Sequence, residues 1–108
     1  MSEDIKVVTT YQIDNVEIAE HIGLVQGSTV RSRNVGSDIF AGLKNLVGGE
    51  LVGYSKLLKT SRDQAYDRMI EDAKSKGANA ILGFRFQTST VAQGASEILA
   101  YGTAVKIK

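Results

Sequence analysis

His21 is the only histidine in the chain and there is no cysteine, so most of the side chains that supply nucleophiles, bases and soft metal ligands are missing. Without cysteine there is no disulfide, thiolate nucleophile, iron–sulfur cluster or cysteine-ligated zinc. An imidazole can act as a base or a ligand. A transition metal held without cysteine needs several His or carboxylate groups converging, and Glu17, on the same strand face as His21, offers one more. His21 and Glu17 are therefore the candidate metal set, and a ring of copies is the way to multiply it. The competing reading, an ordinary packed or structural histidine, outweighs it.

Arginine offers a better site for a polar ligand. Arg31 and Arg33 lie at strand spacing and point the same way, and with Arg85 they supply the planar forks that match carboxylate or phosphate. Lys44 and the Gly48-Gly49 amides near a helix start can add to it. The alternative use of these arginines is ion pairing between subunits, with Glu50 or Glu97 as partners. Asp63, Asp67 and Glu71 fall four apart on one helix face, where a hard cation is conceivable, but Lys59, Arg62, Arg68 and Lys74 among them favour a salt-laced solvated face.

Other constellations fail on inspection. Gly48-Gly49 is followed by Glu50 instead of the Lys-Ser/Thr of a phosphate loop, and there is no Gly-x-Gly-x-x-Gly. A hydrolytic triad would have to join His21 to residues such as Ser28 and Asp14 with no nucleophile elbow around them. Tyr54, Tyr66 and Tyr101 fit the packing pattern of their elements. A net charge of +1 lacks the basic footprint of a nucleic-acid binder. The opening Met1-Ser2-Glu3-Asp4 has no signal-like basic and apolar run, and no later stretch approaches membrane-spanning length. A cytoplasmic protein with no membrane or nucleic-acid partner is the expectation.

These residues must be positioned by one domain, since 108 residues suffice for a single core, and 43% apolar with 23% charged residues is ordinary for a globular fold. Ile5–Thr10 and Val16–Val25 read as strands on either side of the turn-like Asp14-Asn15. Alternation puts Val16, Ile18, Ile22 and Leu24 on the apolar face of the second strand, opposite His21 and Val25. Gln26-Gly27-Ser28 reads as a turn or bulge before a third extended stretch, 29–33. Helical spacing appears over 37–47 and again over 54–76, where Gly77 is placed as a left-handed terminator. Ser61-Arg62-Asp63-Gln64 fits a capping box, which leaves open a helix starting there, but one long helix is the preferred reading. Asn79–Val91 and Ser96–Ile107 form a hairpin about Gln93-Gly94-Ala95, with Ala80, Leu82, Phe84 and Phe86 on one face. Ala100, Gly102 and Ala104 make a strip of small residues that permits close approach. The result is an α+β two-layer subunit, an antiparallel sheet with helices on one face, whose other face needs cover from self-association.

Five stretches occur here in one order: Val30-Arg31-Ser32-Arg33-Asn34, Ala41-Gly42-Leu43-Lys44, Val47-Gly48-Gly49-Glu50, Lys76-Gly77-Ala78-Asn79-Ala80 and Ala100-Tyr101-Gly102-Thr103-Ala104. Together they resemble the YbjQ-like family of uncharacterised small proteins, over nearly the whole chain. The resemblance implies a β-α-β-β-type subunit assembling into a homopentamer whose sheets form a central barrel ringed by helices. It also brings a heavy-metal-binding label, hence a metal ion as the cofactor to test for. The chain departs from the family's pattern at His21, where an aromatic is usual, and at Gln87, where an acidic residue is common. The leading expectation is a non-enzymatic homo-oligomeric binding or structural module with a small anionic ligand at arginine-lined interfaces. Metal binding through His21 and Glu17 is the second, and an enzyme acting on an anionic metabolite the third.

Overall fold

The computed structural model describes residues 5–31, 52–92 and 95–108. Among these residues, four strands and one helix run in the order β1 (Lys6–Val7), β2 (Ile18–Arg31), α1 (Val52–Ser75), β3 (Ala80–Ala92) and β4 (Ala95–Ile107). The helix read over 37–47 lies outside the described residues.

The helix buries a single line of residues four apart. Ser61, Ala65, Met69 and Ala73 are all fully buried, and three of the four are small, so the backbone can come close to whatever lies beneath. Beneath it lies Gly27, with Ala100 and Ala104 of the small-residue strip in the same core, while Gly102 is the point where β3 comes close, at Ile81 and Leu82. Ser61 lies inside the helix, which runs unbroken through the alternative start. The backbone carbonyl of Ser61 accepts a hydrogen bond from Thr29 Oγ1 at 3.0 Å, tying helix to strand. The helix ends as its sequence predicts: Gly77 takes φ of +81°, its N–H donates to Lys74 O at 3.0 Å, and Ala78 N–H donates to Ala73 O at 3.0 Å. This double closure is the Schellman motif, and Ala73 and Ala78 meet in the core as its apolar contact.

The sheet has the order β1-β3-β4-β2. It is mixed and not antiparallel throughout, because β1 pairs parallel with β3 while β3–β4 and β2–β4 are antiparallel. The first segment returns to the sheet only through the turn at Asp14-Asn15, where Asn15 adopts φ of 61°, a conformation Asn tolerates better than most residues. The strand read over 5–10 shortens to two residues, yet its pairing continues through Val8 N–H to Ile81 O, Phe84 N–H to Val8 O and Gly83 N–H to Thr10 O.

Two expectations about strand faces are corrected. Residues 26–28 form no turn: β2 passes straight through them, with Gln26, Gly27 and Ser28 opposite Tyr101, Ala100 and Leu99. Irregularities between Ile18 and Glu20 and between His21 and Gly23 shift the alternation, so Val25 is fully buried under the helix while Leu24 turns to the other face, 60% exposed. On β3, Gly83 at φ of +63° makes a bulge opposite Gly102. Ala80 and Leu82 therefore join a cluster with Val105, Ile13 and Ile18, while Phe84 packs with the helix-side core. A period of two cannot be carried across an inserted residue.

Candidate functional site

The bulge at Gly83 also determines where Arg85 goes. Arg85 stands opposite Tyr101, and one terminal guanidinium nitrogen donates to Phe84 O at 2.8 Å and to Thr9 O at 3.0 Å. Its guanidinium carbon lies 5.9 Å from the centroid of the Tyr11 ring, within cation–π range. Tyr11 in turn lies over Gly83: a Cβ there would come within 2.7 Å of the ring edge. Arg85 is thus held by two backbone carbonyls and an aromatic face while remaining exposed. An anchored guanidinium of this kind is oriented before any carboxylate or phosphate arrives. Beside Tyr11 an open depression of about 510 Å³ is lined by Val8, Thr10, Tyr11, Gln12, Ile13 and Asp14. Sequence reasoning missed Tyr11, because nothing in the spacing of a loop tyrosine announces a partner more than seventy positions away.

Arg31 and Arg85 stand far apart along the sheet. Arg31 ends β2 opposite Ser96, which faces Thr90 on β3, five residues beyond Arg85. At about 3.4 Å per residue that is roughly 17 Å along the sheet, with β4 between the two strands. Arg33, Lys44 and the Gly48-Gly49 amides lie outside the described residues.

The two residues of the metal set lie as follows. His21 is exposed on β2 opposite Val105, and the Glu17 carboxylate is engaged by Lys108 Nζ at 3.3 Å. Among the described residues no three His, Cys, Asp or Glu side chains converge on one point. Of the carboxylates on the face Asp63, Asp67 and Glu71, Asp63 is paired with Lys59 at 3.2 Å, both side chains exposed; on a neighbouring line Asp72 pairs at 3.4 Å with Lys76, just past the helix end. No described helix is long and apolar enough to cross a membrane.

Comparison with known proteins places the chain in a family. Residues 5–108 match the profile of the YbjQ family, described as "Putative heavy-metal-binding". A UPF0145 protein of Archaeoglobus fulgidus is 48% identical over 108 residues, the whole of both chains. One from Clostridioides difficile is 52% identical over 94% of this chain and 91% of its own. One from Psychrobacter arcticus is 58% identical over 87% of this chain, which spans only 60% of that longer relative. Among solved structures, a protein of unknown function from Pediococcus pentosaceus, assigned to the DUF74 family, superposes with a TM-score of 0.62 over 96% of this chain and 98% of its own. At 15% identity that likeness shows the fold alone. Sequence match and fold agree: the chain belongs to the YbjQ (UPF0145) family.

Proposed function

We propose that the chain is a subunit of a homo-oligomeric ring, a pentamer on the family resemblance, serving as a non-enzymatic binding or structural module. The observation that carries this is the sheet face opposite the helix. There Leu24 and Val30 are 60% and 54% exposed, beside half-buried Leu99 and Tyr101 on the neighbouring strand. Apolar side chains contiguous across two strands are a surface that association would bury. The ligand class this reading assigns is a small anion bearing carboxylate or phosphate, received by Arg85. Because Arg31 lies far along the sheet from Arg85 in one subunit, a site using both draws them from adjacent copies.

Native mass spectrometry of freshly purified protein tests the two parts together. The expected spectrum is a pentamer with an added mass per subunit that is lost in Arg85→Ala while the pentamer persists. A monomer at micromolar concentration would overturn the assembly, and a bare pentamer would leave a structural role without the ligand.

A further inference from the structure

The depression beside Tyr11 has walls that the backbone builds. Val8 N–H donates to Ile81 O at 3.0 Å, Phe84 N–H to Val8 O at 3.0 Å and Gly83 N–H to Thr10 O at 2.8 Å. Thr10 Oγ1 donates to Gln12 O at 2.6 Å, and Val16 N–H reaches back to Ile13 O at 3.3 Å. These bonds hold the run that lines a space of about 510 Å³, a volume in the range of small-molecule sites. A lining held in this way needs little ordering when a ligand arrives.

The lining divides by chemistry. Val8, Ile13 and the ring of Tyr11 are apolar, Thr10 and Gln12 are polar and neutral, and Asp14 supplies the one charge, an exposed carboxylate. Arg85 adjoins this lining through Tyr11, whose ring centroid is 5.9 Å from the guanidinium carbon, and through Thr9 O, which accepts from it at 3.0 Å. The bonds to Thr9 O and Phe84 O use both hydrogens of one terminal nitrogen. Recognition therefore falls to Nε and the second terminal nitrogen, whose parallel N–H bonds match the two oxygens of one carboxylate. A phosphate dianion has three oxygens to satisfy and would meet one fork, one positive charge and a lining whose own charge repels it.

We propose that Arg85, Tyr11 and Asp14 form a site for a small amino-carboxylate, its carboxylate on the Arg85 fork, its ammonium at Asp14 and its carbon chain along Val8 and Ile13. This rests on the reading of Arg85 as the receiver of an anion, and within that reading it selects carboxylate over phosphate. Opposite charges in one lining give the ligand a direction, and the apolar side chains accept the part of it that water solvates least. Tyr11 is a positioning residue, because its ring supports the guanidinium that makes the bond.

Ligand-observed NMR titration of the full chain tests the assignment. The probes are ω-amino acids from glycine upward in chain length, the straight-chain monocarboxylates of equal length, and inorganic phosphate. One chain length is expected to bind best, roughly fivefold tighter than its amine-free counterpart and tighter than phosphate. Asp14→Asn should remove that preference and leave the monocarboxylate bound as before, while Arg85→Gln should lose both ligands. Tyr11→Phe keeps the ring and should bind as wild type does, whereas Tyr11→Leu should weaken every carboxylate by roughly threefold or more. Far-ultraviolet circular dichroism reads the fold of each variant. If Arg85→Gln unfolds, Arg85→Lys, which keeps the charge and loses the fork, takes its place. Equal affinity for the amino and amine-free ligands, a preference that survives Asp14→Asn, or phosphate bound more tightly than any carboxylate overturns the amino-carboxylate while Arg85 remains an anion receiver. Folded wild type that binds none of the probes overturns both readings.

Discussion

A methyl group at Gly27 would collide with the helix backbone at Met69 N and Ala65 O, and would lie 2.6 Å from Arg68 C. None of these can move without lifting the helix from the sheet. Gly27→Ala is expected to destabilise the subunit by about 3 kcal/mol, the upper end of what overpacking costs. Equilibrium urea unfolding checks this: a lowered midpoint at unchanged slope is the expected signature. Arg85 depends on backbone shape in the same way, since its two carbonyl acceptors and the ring of Tyr11 are all placed by the bulge at Gly83.

At the scale of elements, α1 has two jobs separated by its two faces. The line Ser61, Ala65, Met69 and Ala73 makes the core, while Arg68 and Asp72 along a neighbouring line, with Lys76 just past the helix end, bind the backbone of the β2 edge at Ser28 O, Gln26 N–H and Leu24 O. Replacing all three by alanine removes exposed contacts, each of modest worth, so the loss of stability is expected to be on the order of 1–2 kcal/mol. The larger effect is expected in solution behaviour. With Leu24–Ser28 unguarded, the triple variant should form higher-mass species with concentration, read by light scattering against wild type. Wild-type mass at all concentrations would show that the contacts serve helix docking alone.

For the whole molecule, one face of the sheet lies under the helix while the other leaves Leu24 and Val30 exposed, and the proposed oligomer would tie stability to association. If copies cover that face, anything that binds the native subunit raises its apparent stability by mass action. The thermal midpoint is therefore expected to rise with protein concentration, measured by differential scanning calorimetry over a hundredfold range. A midpoint independent of concentration would separate folding from assembly.

Much of this organisation is legible in the residues themselves, because it rests on local rules. Helical spacing from Tyr54 onward and Gly77 place the long helix and its end, the turn-forming Asp14-Asn15 marks where the chain reverses, and Ala100, Gly102 and Ala104 announce a close approach. The lack of cysteine and the single histidine restrict the chemistry without any structure. What the tertiary structure alone decided is everything that depends on parity and on partners distant in sequence. Bulges in β2 and at Gly83 reassign Leu24, Val25 and Phe84 to faces that strict alternation denies them. The parallel pairing of β1, the separation of Arg31 from Arg85 and the seat of Arg85 against Tyr11 are set by pairings between strands far apart in sequence. An inserted residue costs little locally but flips every side chain beyond it. Spacing in the sequence records which residues are neighbours along an element, and only the folded sheet determines which way they point and what they meet.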